Sequence, residues 1–309
     1  MKKDFLSFND IDEHELESII ADAMRLKRLK SAGTAHEFLR GKSLGMIFEK
    51  ASTRTRVSFE VGMTDLGGHA LFLNPQDMQL GRGEEVRDTA RVLARYVDAV
   101  MIRAYKHANI EEFARHSTVP VVNGLSDIQH PCQVLADIMT LTERFRDLRD
   151  LRLAWIGDGN NVCNSWILSS ALTGMEIVIA SPPSYQPKDA LINQARAAGG
   201  RITIVTDPEE AVRDADVLYT DIWVSMGDEQ ERAERLKALK GYTIDSRLLA
   251  QAPPDALVMH CLPAHRGEEI TDEVMEGPQS IVWDQAENRL HAQKALLVRL
   301  LAGGMPSLE

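Results

Sequence analysis

Ser52-Thr53-Arg54-Thr55-Arg56 places three hydroxyls and two guanidiniums in five consecutive residues. An apolar run, Leu44 to Phe48, precedes the segment, and a helical pattern over Val57 to Leu66 follows it. A helix start presents free backbone N–H groups and the positive end of the helix dipole, and both favour an anion. Ser52 or Thr53 can cap the helix, and the guanidiniums of Arg54 and Arg56 can grip phosphate oxygens in pairs. The chemistry points to a small phosphorylated ligand. The competing reading is a capped surface helix with two solvated arginines.

Other sites fall at the ends of apolar runs. Arg103 closes Met101-Ile102-Arg103, where it either reaches a cleft ligand or snorkels to water. His130-Pro131-Cys132-Gln133 opens a helix with proline at its first position. His130 and Gln133 then face whatever lies at that helix start, as ligand donors or as members of a capping box. Cys132 fits a small buried filler better than a nucleophile. Gln79 lies in a polar loop, Asp77 to Glu84, that reads as a surface loop, a lid or an arm to a neighbouring subunit.

Gly157-Asp158-Gly159-Asn160-Asn161 follows a strand and opens a helix, which invites a dinucleotide reading. Val162 stands where the third glycine belongs, and Ser181-Pro182 replaces the acidic residue after the next strand, so a dinucleotide-dependent dehydrogenase is a disfavoured rival that cofactor binding would test. Asn160 and Asn161 can instead hold polar groups of a small substrate. Asp221 can pair with an ammonium, with Ser225 and nearby backbone taking other polar atoms of an amino-acid-like ligand; a helix cap is the plain alternative. Cys261, in His260-Cys261-Leu262-Pro263, is a reactive thiol or a core thiol. A metal site with His260 and His265 matches no structural zinc spacing, and a Cys–His hydrolase lacks a third member. Arg289 sits near the start of the last helix, opposing its dipole, and needs an anionic ligand or an acidic neighbour.

The elements that must position these residues alternate between short apolar runs and longer helical ones, the pattern of an α/β protein with parallel sheets. Strands are expected at 44–48, 70–73, 99–103, 120–123, 153–156, 177–180, 202–205, 217–220, 257–261 and 281–283. Principal helices are expected at 11–29, 57–66, 87–95, 110–116, 132–145 and 286–301. The charged stretch Arg146 to Arg152 reads as a hinge, giving domains 1–146 and 147–285 with a C-terminal helix 286–309. Ligands in such sheets bind beyond the carboxyl ends of the strands, where nearly all these motifs fall.

The 309 residues carry 35 basic and 46 acidic side chains, a net charge of −11. That balance argues against non-specific nucleic-acid binding but permits a local cluster of arginines. No apolar run is long enough for a bilayer, no signal-peptide pattern opens the chain, and three scattered cysteines, Cys132, Cys163 and Cys261, imply reduced thiols. A cytoplasmic enzyme is the expectation.

Taken together, Ser52–Arg56, His130-Pro-x-Gln133, Asp221-x-x-x-Ser225-Met226-Gly227 and His260-Cys261-Leu262-Pro263 resemble the aspartate/ornithine carbamoyltransferase family, with the last two motifs like its ornithine branch. The resemblance implies two α/β domains, each a mostly parallel sheet flanked by helices, with the C-terminal helix packing back on the first. It implies that Ser52, Thr53, Arg54 and Thr55 bind the phosphate of carbamoyl phosphate, with Arg103, His130 and Gln133 on its carbonyl and phosphate. Gln79 would reach the same ligand from an adjacent subunit. Asn161, Asp221, Ser225 and Met226 would bind ornithine, and Cys261, the Leu262 backbone and Arg289 would complete the reacting centre. The implied reaction belongs to arginine metabolism. Ornithine Nδ attacks directly, without a covalent intermediate, metal or cofactor; closure about the hinge excludes water, and the enzyme is a homotrimer or an assembly of trimers. A carbamoyltransferase for putrescine or an acylated ornithine is the nearest rival, and a non-catalytic relative the next.

Overall fold

The computed structural model describes residues 3–224 and 229–305; Ser225, Met226 and Gly227 lie outside the described residues. Two compact units divide the chain, one of residues 1–140 with 287–309 and the other of residues 141–286.

The first unit contains α1 (Glu13–Ser31), β1 (Ser43–Phe48), α2 (Thr53–Asp65), β2 (His69–Leu73), α3 (Val86–Leu93), β3 (Ala99–Arg103), α4 (His107–His116), β4 (Val121–Leu125) and most of α5 (Pro131–Arg144). Its sheet runs in the order β2-β1-β3-β4, and every pair is parallel. The chain therefore reverses its winding between β1 and β3, where Phe48 is in register with Arg103. Such a switch point opens a crevice at the carboxyl ends of both strands. The segment Ser52–Arg56 leaves from one side of it and Arg103 from the other.

The second unit contains β5 (Arg152–Ile156), α6 (Asn161–Thr173), β6 (Glu176–Ala180), α7 (Asp189–Ala197), β7 (Arg201–Val205), α8 (Pro208–Val212), β8 (Val217–Thr220), α9 (Arg232–Leu239), α10 (Ser246–Leu249), β9 (Leu257–His260), α11 (Asp272–Met275) and the first turn of α12 (Val282–Ala302). Its parallel sheet runs β7-β6-β5-β8-β9, so its switch point lies between β5 and β8. The loops leaving those strands carry Asn160, Asn161 and Asp221. Both central strands are buried, with the Trp155 and Tyr219 rings stacked at 5.1 Å, which makes a rigid base for the loops.

One expected strand, Ile281–Trp283, is absent. Ser280, just before it, forms a single bridge to Val258 beside β9, and Val282 and Trp283 already belong to α12. The apolar side chains of this segment pattern equally well as a buried helix start, and three residues are too few for periodicity to decide. The last sixteen residues of α12 belong to the first unit. There Asn288 bonds Thr140 at 2.9 Å, Arg299 pairs with Glu15 at 3.3 Å, and Lys294 pairs with Asp65 at 2.9 Å. No helix among the described residues is long and apolar enough to cross a membrane.

Candidate active site

In the first unit Ser52 caps α2, its hydroxyl accepting from the Thr55 backbone N–H at 3.3 Å. Thr53 and Arg54 occupy the first turn, and the Arg54 guanidinium makes no hydrogen bond to any described residue. Arg103, at the end of β3, is only 6% exposed, and His130, ahead of α5, only 5%. The third arginine arrives from α12. Arg289 is buried and donates to Gln133 Oε1 at 2.6 Å and Thr55 Oγ1 at 3.2 Å. With the Gln293 amide assigned so that both its atoms find partners, its oxygen accepts from Arg289 Nη2 at 2.9 Å. Gln133 is itself fixed by donating to buried Asp137 at 2.8 Å.

Electrostatics define what this cluster does. Burial holds the His130 imidazole well below its ordinary value of 6.5, and the charges of Arg289, Arg103 and Arg54 push it further down. His130 is therefore a neutral ring amid three guanidiniums, able to donate to an oxygen without adding charge. Cys132 is buried, donates to the Asn123 carbonyl at 3.3 Å, and is pushed up to about 12 by burial, so it stays a thiol.

A pH dependence follows. The unfolded chain protonates this histidine below about 6.5 and the folded chain does not, so the unfolded state binds more protons and stability falls as pH drops from that value. Asp65, Asp98 and Glu15 have lowered values, so their contributions are lost only below about 4 and leave the window open. Scanning calorimetry from pH 7 to 5 is expected to show a falling melting temperature that flattens in His130→Gln. Equal slopes would discard a neutral His130.

In the second unit Asp221 leaves β8 nearly buried. Its Oδ1 accepts from the Ile222 N–H and the Cys261 thiol, each at 2.8 Å, and its Oδ2 from Asn160 Nδ2 at 2.6 Å. A thiol that donates to a carboxylate is protonated, which makes Cys261 a hydrogen-bonding group and not a ready nucleophile. Cys261 and Leu262 follow β9 in a shaped turn: Leu262 has a left-handed φ of 58°, and its peptide bond to Pro263 is cis. A branched side chain at such a φ is strained and is held by its surroundings. Here the Leu262 N–H donates to His260 Nδ1 at 2.9 Å, so the opposite nitrogen carries the proton and donates to buried Glu269 at 3.0 Å.

Asp221, His260 and Cys261 place potential metal ligands within 4.8 Å of one another. Both ring nitrogens of His260 are already committed, so the trio does not form a three-ligand site in this arrangement. The glycines of Gly157-Asp158-Gly159 serve the chain itself. Gly157 has φ 122°, and a Cβ on Gly159 would lie 2.5 Å from the Pro187 nitrogen.

Residues 3–143 match the model of the aspartate/ornithine carbamoyltransferase carbamoyl-P binding domain, and residues 149–300 that of the Asp/Orn binding domain. The chain belongs to the aspartate/ornithine carbamoyltransferase family. An ornithine carbamoyltransferase of Methanoculleus marisnigri is 87% identical over the whole of both chains. That of Methanocorpusculum labreanum is 59% identical over 98% of this chain and all of its own. The solved structure from Pyrococcus furiosus covers 99% of this chain and 98% of its own, at a TM-score of 0.93 and 50% identity.

Within this family frame, the residues expected from the sequence divide by unit. Thr55, Gln133 and Arg289 meet through hydrogen bonds, and the charges of Arg54, Arg103 and Arg289 act on His130. Asp221 and Cys261 meet in the second unit, with Asn161 as the first residue of α6. Gln79 is exposed on the turn before Leu80–Arg82 and makes no hydrogen bond to the arginine cluster. Arg56 turns away: it pairs with Glu60 at 2.9 Å and lies over the Phe72 ring at 3.8 Å. Gln293, Asp137 and Glu269 were not singled out from the sequence. Glu269 sits in a run of charged residues that patterns as surface, and only the fold buries it.

Proposed function

We propose that this chain transfers the carbamoyl group of carbamoyl phosphate to the side-chain amine of L-ornithine, giving L-citrulline and phosphate. The observation that carries the reading is the convergence of Arg54, Arg103 and Arg289 on the neutral ring of His130 at the β1/β3 switch point. A phosphorylated carbonyl compound offers what that cluster lacks, a concentrated negative charge and a polarisable C=O. Ser52, Thr53, Arg54 and Thr55 hold the phosphate, while Arg103, His130 and Gln133 orient the carbonyl and the departing phosphate. As neutral Nδ attacks the carbonyl carbon, charge grows on the carbonyl oxygen and then on the leaving phosphate. Preorganised guanidiniums with His130 stabilise both, a contribution worth about 100- to 1,000-fold per donor in comparable sites.

The second unit supplies the acceptor. Asn161, Asp221, Ser225 and Met226 hold ornithine, and Cys261 with the Leu262 backbone completes the reacting centre. The Asp221–Cys261 contact supports this: a buried carboxylate is an ammonium partner, and a neutral thiol tolerates an uncharged amine. Residues 1–146 with the last helix serve the donor, and 147–285 the acceptor.

We also propose a cytoplasmic homotrimer, or an assembly of trimers, in which Gln79 serves a neighbouring subunit's ligand. The exposed apolar side chains Val57, Val61, Leu71 and Phe72 on α2 and β2 support a face covered by another copy.

Assaying citrulline formation with ornithine, putrescine and acylated ornithine tests the reading. Ornithine is expected to be the preferred acceptor by at least about tenfold, which corresponds to 1.4 kcal/mol of discrimination. Cys261→Ala is expected to raise the ornithine KM or lower turnover while calorimetric binding of carbamoyl phosphate stays near that of the unaltered chain. No citrulline, or a better acceptor, would overturn the proposal.

A further inference from the structure

We infer that Asn160 is a positioning residue that sets the Asp221 carboxylate for the amine substrate; this role rests on the activity proposed above. Its amide is pinned at both ends. Oδ1 accepts from the backbone N–H groups of Val162 at 2.9 Å and Cys163 at 3.2 Å, capping α6. Only an oxygen can accept those two bonds, so the amide orientation is decided by the backbone. The NH2 group must then face Asp221, and it lies 2.6 Å from Oδ2.

Of the three donors on Asp221, one is a backbone N–H and one is the thiol of the reacting centre. Asn160 is the side chain that holds the other oxygen and also links two elements. It ties the start of α6, where Asn161 is the next residue, to the end of β8. The relation between Asn161 and Asp221 is thereby fixed across the switch point of the sheet.

No other residue type performs both tasks. Aspartate caps a helix as well as asparagine does, but it sets a second carboxylate against Asp221. Serine also caps, yet it is too short to keep the second bond. Substitution therefore separates positioning from folding. Asn160→Ser is expected to raise the ornithine KM several-fold, and Asn160→Asp by about 10- to 100-fold, the range for losing a hydrogen bond to a charged group. In both variants the carbamoyl phosphate KM is expected to stay near that of the unaltered chain; the melting temperature is expected to stay near it in Asn160→Ser, where the cap is retained, and to fall in Asn160→Asp, where two carboxylates meet.

Steady-state kinetics in each substrate, with calorimetric melting, make the test. The graded rise confined to ornithine supports the role. Ornithine kinetics unchanged in Asn160→Asp would overturn it. So would a parallel loss in both substrates together with a lowered melting temperature in Asn160→Ser, which would mark Asn160 as a helix cap alone. Failure of the unaltered chain to form citrulline would instead overturn the activity itself, and this role with it.

Discussion

Arg54→Ala is expected to lower kcat/KM for carbamoyl phosphate by about 100- to 1,000-fold, the range for removing one preorganised donor from developing charge. The melting temperature is expected to move by no more than a few degrees. The two expectations separate because the Arg54 guanidinium makes no hydrogen bond to a described residue, while its charge already acts on His130. On the proposed reading its partner is the substrate phosphate. Arg289 would be a poorer choice for this test, since Gln133, Thr55 and Gln293 all depend on it. Steady-state kinetics together with calorimetric binding of carbamoyl phosphate measures the effect. Binding like that of the unaltered chain would remove Arg54 from the phosphate site.

Lys294→Ala is expected to destabilise the fold by about 2–5 kcal/mol, the range for truncating a large buried side chain to alanine. The Lys294 side chain is fully buried, with its ammonium 2.9 Å from Asp65 and 2.5 Å from His36 Nε2. His36 Nδ1 lies 2.7 Å from the Thr34 carbonyl and donates to it, which leaves Nε2 to accept from the lysine. Burial lowers the Lys294 value, and Asp65 offsets part of that, so the ammonium depends on these contacts. Alanine leaves Asp65 with Lys30 but strips His36 of its partner and opens a cavity beside Gly62, whose added Cβ would lie 3.2 Å from the lysine stem. Lys294→Met keeps most of that volume and is expected to lose less. Urea unfolding of both variants is the measurement; a loss below about 1 kcal/mol in Lys294→Ala would show that the network contributes little.

The parallel sheets were legible because their strands are continuous apolar runs, bounded by glycine, proline and charged residues. Ala99–Arg103 and Val217–Thr220 have the bounds expected from their sequences. Candidate site residues were legible where they sit at strand ends, as with Arg103 and Asp221, because the fold class alone directs attention there. What the sequence withheld is partnership across distance. Nothing local in Gln293 marks it as a holder of Arg289, and nothing in Asn160 distinguishes a helix cap from a cap that also grips Asp221. Arg56 misled in the opposite sense: its type and spacing match Arg54, but it lies two positions along a helix, about 200° around the axis, and faces Glu60 instead.

Helix α12 carries a consequence for how the molecule is made. The first unit is discontinuous in sequence, and its last pieces, Asn288, Arg289, Gln293 and Lys294, emerge from the ribosome after the entire second unit. The four strands of the first sheet are synthesised early but wait through more than 150 further residues for the helix that fills their core and supplies the third arginine. A nascent chain halted before α12 holds a second unit whose sheet is complete and a first unit lacking both its last packing element and the Arg289 guanidinium. The third arginine and the last packing element of the first unit thus arrive together, once α12 has been translated.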